Sequence, residues 1–297
     1  MLRHTEIYSK QGESLVDTPV KMNEDRFVAA HKTFAVIDGA TDTTGNLLSG
    51  MTPGAFVADY VHRTLTNLAQ DPAHAGAEAG LLLAGINRAF GDYVKQNHPE
   101  RVENGFHLGP YAHAAFLRLH NDGTFSYASA GDCFLVILYT DGTTRICPPE
   151  EKPAGVEKDR LAHFMTLYKK NPGSFQDILK DPEAKEIYRK DLEKLNRDIS
   201  VINGDPNMEN LISGGRESLE GVGAFALMSD GMFMPGLPDP EGAHMAAKKM
   251  LEHGLSAYAR SLEAMYDNDA AREEHPRFKH RDDMTALLLD MTDIKQN

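Results

Sequence analysis

Four short apolar segments separated by turn residues lie between Ala112 and Ile146, and this pattern constrains the fold more than any other part of the chain. Residues 112–119, 125–129, 133–139 and 143–146 are each of strand length, with Asn121-Asp122-Gly123 and Asp141-Gly142 between neighbours. Asp-Gly between apolar runs is a strong hairpin signal, because glycine supplies the positive φ that tight β-turns need. The spacing predicts an antiparallel meander. Upstream, residues 27–30 and 33–37 flank a His31-Lys32 turn, and the second run ends in Asp38-Gly39, which predicts a hairpin with an acid at its exit.

The period then changes. From Pro53, a favoured first helical residue, Phe56, Val57, Tyr60, Val61, Thr64, Leu65 and Leu68 recur at spacings of three and four. Leu82, Leu83, Ile86, Phe90 and Val94 repeat the pattern, so two amphipathic helices follow the hairpin. After the meander come a strand at 224–228, helices around 243–253 and 255–266, and a closing strand at 284–291. Hairpins interleaved with helix pairs argue for α+β layers over a doubly wound parallel sheet. With no repeat and no long linker, the expectation is one domain over residues 1–297, carrying a charged helical insertion at about 150–220. Within it, Tyr188, Leu192, Leu195 and Ile199 mark one apolar stripe on a charged helix.

Charge narrows the partners. Against 44 Asp and Glu stand 31 Lys and Arg, a formal charge of −13, so the field of the chain repels nucleic acid and anionic lipid. Cys133 and Cys147 form neither a disulfide framework nor a zinc pair, which fits a reducing compartment. The first 14 residues are polar and the longest apolar run, 133–139, is too short to span a bilayer. The expectation is a soluble cytoplasmic protein with no nucleic-acid or membrane partner.

Five acidic motifs sit beside apolar strands: Asn23-Glu24-Asp25-Arg26, Ile37-Asp38-Gly39, Ala130-Gly131-Asp132, Ser229-Asp230-Gly231 and Arg281-Asp282-Asp283. A carboxylate at a sheet rim is costly unless it is solvated, paired or bound to a metal. Several such acids without a comparable supply of Lys or Arg imply a cation, and oxygen ligands without clustered His or Cys favour magnesium, manganese or calcium. Any one Asp-Gly reads equally as turn chemistry, as Asp141-Gly142 does.

The five in this order resemble the metal-dependent protein phosphatases (PPM, type 2C serine/threonine phosphatases), over roughly residues 5–292. The resemblance implies an α-β-β-α sandwich of two antiparallel sheets flanked by helices, with two Mg2+ or Mn2+ ions in a cleft at one end. By motif, Asp38 bridges both metals and Gly39 lends its carbonyl; Glu24 holds one ion, and Asp230 and Asp282 the other. Asp25 orients a metal-bound water, and Asp132 with Asp230 forms a weaker third site. The implied activity is hydrolysis of phosphoserine and phosphothreonine in proteins by water activated between two metals. Alternatives are a small-molecule phosphatase and a catalytically weak phosphatase-fold regulatory module.

The chain also departs from the family pattern. The phosphate-binding arginine four residues before the Glu is Val20; Lys21 beside it reads either as an imperfect substitute lacking the bidentate fork or as a solvated surface residue. The Gly-Gly after Asp38-Gly39 is absent, the histidine that often follows is Ala40, and Asp283 stands for the commoner Asn, adding negative charge. A cysteine phosphatase is excluded, because neither cysteine has an arginine six residues on, and there is no Walker A or His-Glu-x-x-His sequence. Gly221-Val222-Gly223 reads as a turn, Met228, Met232 and Met234 as core, and His107, His113 and His120 as ordinary surface or hydrogen-bonded residues. The insertion, flanked by two cleft aspartates, is expected to form a lid through Leu161, Phe164, Met165, Tyr168, Tyr188, Leu192 and Leu195.

Overall fold

A computed structural model describes residues 2–13, 20–40, 47–99, 105, 109–149, 163–167, 170, 178, 180–277 and 279–291. Among the described residues, ten strands form two five-stranded sheets. The first has the order β1 (His4–Lys10), β10 (Met284–Asp290), β9 (Val222–Met228), β6 (Phe134–Tyr139), β7 (Thr144–Cys147). The second runs β2 (Arg26–Ala30), β3 (Thr33–Gly39), β4 (Ala112–Leu119), β5 (Thr124–Ala130), β8 (Ser213–Ser218). Every neighbouring pair is antiparallel.

Alternating side chains of both sheets meet in an inner core that includes Val36, Leu117, Leu135 and Leu287. Phe125 and Phe225 pack edge to face across it, with centroids 4.9 Å apart, the arrangement ring quadrupoles favour. Outside the second sheet lie α1 (Pro53–Gln70) and α2 (Ala79–Asn97), whose Val57, Val61, Leu65, Leu83 and Phe90 cover Ile37 and Phe116. Outside the first lie α4 (Asp239–His253) and α5 (Leu255–Asn268), where Ala247, Met250 and Leu262 cover Phe134, Ala226 and Leu288. The result is the expected α-β-β-α sandwich. With a helix layer outside and a sheet inside, all seven residues of β9 are buried.

Two local expectations need correction. The meander at 112–146 is divided: β4 and β5 belong to one sheet, β6 and β7 to the other. The chain changes sheet at Gly131, whose φ of +80° bends the backbone where an ideal Cβ would meet the His113 ring. The charged helix, α3 (Pro182–Leu192), ends before the predicted stripe does. Asn196 adopts φ +54° and its side chain bonds both N–H and C=O of Val201, so Leu195 and Ile199 pair as a β-bridge. Two edge strands, β1 and β8, were not expected, and β8 lies inside the stretch assigned to the insertion. Met228 and Met232 are fully buried, as expected of core residues.

The register places five strand ends at one rim. Arg26 pairs with Ile37 and Ile37 with Ala114, while Ala114 pairs with Ala130. In the other sheet Met228 pairs with both Phe134 and Ala286. The start of β2, the end of β3, the β5–β6 corner, the end of β9 and the start of β10 therefore share one end of the sandwich, and each carries one of the acidic motifs.

Candidate acidic cleft

Asp38 is the penultimate residue of β3, opposite His113 of β4. Gly39 follows it because the backbone of α1 comes too close for a side chain: an ideal Cβ would lie 2.4 Å from Gly54. The Gly39 N–H donates to the Glu24 carbonyl at 3.3 Å, which ties the first acidic motif to the end of β3.

The carboxylates act on one another. Burial pushes the Asp38 pKa well above the carboxylate range, and the charges of Asp25, Asp230, Asp132 and Asp282 push the same way. Asp230 is raised by burial and by Asp282 and Asp132, with Lys279 opposing. Yet Asp230 remains open to solvent. The acidic cluster therefore opens to solvent at Asp230, and the rim it occupies is termed the cleft.

Glu24 and Asp25 are buried. Ser229 Oγ donates to Asp25 Oδ2 at 2.7 Å, and the Thr285 N–H donates to Ser229 Oγ at 3.1 Å. Burial and the Asp283 charge raise the Asp25 pKa to about 7 despite the Ser229 and Thr285 hydrogen bonds. Asp25 Oδ1 is buried without a hydrogen-bond partner. Asp132 Oδ1 shares that condition: His113 Nδ1 lies 3.0 Å away and accepts the Asp132 N–H at 3.3 Å. Two buried carboxylate oxygens without donors, in a cleft of acids, suit a divalent cation bound by oxygen.

Three features were not read from the sequence. Asp283 accepts the Gly12 and Glu24 N–H groups, both at 2.6 Å, so its charge is matched by backbone donors where only repulsion was expected. His113 sits against Asp132. Lys279 lies 2.5 Å from Asp282 Oδ1, which corrects the expectation that the acids lack a basic neighbour; its side chain is 11% exposed. Its position three residues before Asp282 was the available signal. Lys21 is exposed, and no hydrogen bond or ion pair joins it to the cleft acids among the described residues.

Among the described residues, the group of three His, Asp or Glu side chains whose ligand atoms lie within 4.8 Å of one another is His163, Asp181 and Glu183, in the insertion. No three cleft carboxylates converge that tightly. Asp181 caps α3, accepting from the Glu183 and Ala184 N–H groups. Of the residues expected to form a lid, Phe164, Met165 and Leu195 are buried, Tyr188 is partly buried and Leu192 half-buried; Leu161 and Tyr168 lie outside the described residues, as does His107. The insertion rejoins the sandwich at the acidic rim, where Ser200 Oγ accepts the Gly131 N–H at 3.3 Å and Ile202 pairs with Ala112.

These layers and their topology define a PPM-like phosphatase fold. No family model matches the chain, and no curated protein matches it in sequence. Solved structures do. The PPM Ser-Thr phosphatase MsPP from Mycobacterium smegmatis, in complex with cacodylate, aligns at a TM-score of 0.55 with 14% identity, covering 98% of this chain and 99% of its own. PppA, a regulatory component of the type VI secretion system in Pseudomonas aeruginosa, gives 0.55 and 20% identity over 97% and 96%. RsbX in complex with magnesium gives 0.50 and 14% over 97% and 94%. Among the described residues, no helix is long and apolar enough to cross a membrane.

Proposed function

We propose that this chain is a divalent-cation-dependent phosphomonoester hydrolase whose substrates are phosphoserine and phosphothreonine in proteins. One observation carries the reading: the strand ends bearing Glu24 and Asp25, Asp38, Asp132, Asp230 and Asp282 meet at one end of a PPM-like sandwich, joined by the Gly39–Glu24, Ser229–Asp25 and Glu24–Asp283 hydrogen bonds. Glu24, Asp38 and the Gly39 carbonyl would hold one Mg2+ or Mn2+, Asp38, Asp230 and Asp282 a second, and Asp132 with Asp230 a weaker third. Cations bound there would supply Lewis acidity toward a phosphoryl oxygen and would make water a nucleophile at neutral pH.

The chain's own groups divide the remaining work. Asp25 Oδ2 is pinned by Ser229, which leaves Oδ1 as the acceptor that orients the attacking water. The water oxygen would form the new bond to phosphorus as the bond to the serine or threonine oxygen breaks, the water's proton passing to Asp25 Oδ1 and the leaving oxygen taking one from solvent, since Ala40 offers none. Lys21, exposed on the segment leading to Glu24, offers an ammonium to the phosphate where Val20 stands for the usual arginine. A cytoplasmic setting fits the two unpaired, buried cysteines.

A second reading, a weakly catalytic regulatory module, is favoured by the Lys279–Asp282 ion pair, which already engages one of the supposed ligands. Turnover of a phosphothreonine peptide and of p-nitrophenyl phosphate separates the two. Manganese-dependent hydrolysis, abolished by EDTA and by Asp38→Asn or Asp230→Asn, is the expected result. Hydrolysis that survives chelation and both substitutions rejects the proposal, and manganese binding without turnover selects the regulatory module.

A further inference from the structure

Lys279 forms an ion pair with the cleft acid Asp282. Its Nζ lies 2.5 Å from Asp282 Oδ1, and Asp283 and Glu24 also act on its charge. Asp283 is already committed to two backbone N–H groups. Asp282 Oδ1 additionally accepts the Asp283 N–H at 2.8 Å. An oxygen that holds both an ammonium and an amide has its lone pairs occupied. In the same arrangement Asp38, Asp230 and Asp282 do not bring their ligand atoms within 4.8 Å of one another.

We propose that Lys279 is a built-in competitor for the cation position at Asp282, its ammonium neutralising the cleft until a divalent ion displaces it. This rests on the metal-centre reading above and goes beyond it by assigning what governs occupancy. Without a cation of some kind, the grouped carboxylates would carry an uncompensated charge cost. With the ammonium seated, Oδ1 is closed to a divalent ion and Oδ2 can take one only beside a positive charge, so the apparent affinity is lower than with the ammonium displaced. Once displaced, the four-carbon stem lets the ammonium swing toward solvent.

The test uses the full chain and needs two readouts other than activity. Mn2+ is titrated calorimetrically into the wild type, Lys279→Gln, Lys279→Met and Asp38→Asn. Separately, lysine acetylation by acetic anhydride is mapped by mass spectrometry in the wild type with and without saturating Mn2+. The expected results are Mn2+ binding about tenfold tighter in both Lys279 variants and acetylation of Lys279 that rises several-fold when Mn2+ is added. Equal affinity and stoichiometry in the wild type and both Lys279 variants overturn the proposal, and so does Lys279 labelling that Mn2+ leaves unchanged. If those results come with loss of binding in Asp38→Asn, the metal centre stands and only the role of Lys279 falls. If neither the wild type nor the Lys279 variants bind Mn2+, both fall together. The labelling arm needs no substitution, so a variant that fails to fold does not remove the test.

Discussion

Asp283 receives the Glu24 N–H on Oδ2 at 2.6 Å, and through that bond the start of β10 fixes the acidic segment that precedes β2. Oδ1 receives the Gly12 N–H at the same distance, so one carboxylate ties three chain segments at the cleft. Asp283→Ala strands two backbone donors and should destabilise the protein by about 1.5–3 kcal/mol, the scale of charge-assisted hydrogen bonds. Asp283→Asn keeps one acceptor and relieves repulsion with Asp25, so it should cost less. Urea denaturation of the three proteins in EDTA checks the order; an alanine variant as stable as the wild type contradicts it.

Asp38 faces the charges of Asp25, Asp230, Asp132 and Asp282, an arrangement that on the proposed function would trade stability of the metal-free protein for ion binding. Asp38→Asn should stabilise the protein in EDTA by about 0.5–2 kcal/mol and should abolish the stabilisation that added Mn2+ gives the wild type. Thermal melts with and without Mn2+ measure both effects. Equal stabilisation of the wild type and the variant by Mn2+ would show that Asp38 is no ligand.

The sequence revealed an element wherever turn chemistry and apolar periodicity coincide, as in β2–β3, α1 and β9–β10. It concealed those that lack an apolar face. Edge strand β8 reads Ser-Gly-Gly-Arg-Glu-Ser, and β1 alternates polar residues around an Ile7 that is 43% exposed. Edge strands are held by one neighbour's backbone, and backbone pairing leaves no side-chain signature. The acids of the cleft were legible because each follows or precedes an apolar strand. Their supports were not: Ser229 reaches Asp25 across 204 positions and Asp283 reaches Gly12 across 271, contacts that only the closed sandwich creates. The division of 112–146 between sheets escaped for a related reason, since both faces of β5 and β6 are buried and apolar pattern alone assigns neither to a sheet.

Asp269, buried at the end of α5, gives a pH dependence of known sign. Burial alone would raise its pKa. The Arg277 side chain and the N–H groups of His275, Glu274 and Glu273 outweigh burial, and the carboxyl lies below its usual range in the folded protein. A depressed folded-state pKa means that the stabilisation is present above the unfolded value of about 4 and is lost as pH falls below it. The stability difference between the wild type and Asp269→Asn should be flat from pH 7 to 5 and shrink at lower pH. Urea unfolding across that range tests it; a difference that grows on acidification has the wrong sign.

The insertion is the remaining proposal with a direct test. Phe164, Ile178 and Ala184, with Leu167 and Tyr188, form an apolar cluster separate from the three cores of the sandwich. Removing that cluster should therefore leave the layers intact. Residues 196–203 must stay, because Asn196 bonds Val201 and Asn203, and Ser200 accepts from Gly131 beside Asp132. That return point sets the downstream end of the insertion at the acidic rim, and on the proposed function the insertion would help choose among phosphopeptides. Replacing residues 155–192 with a short Gly/Ser linker should preserve manganese-dependent turnover of p-nitrophenyl phosphate, whose small leaving group needs no lid. The same replacement should reduce discrimination among phosphopeptides of different sequence, read as ratios of kcat/KM. Unchanged ratios on both substrate classes, in a variant whose melting profile matches the wild type, would remove the insertion from substrate choice and leave it as surface structure.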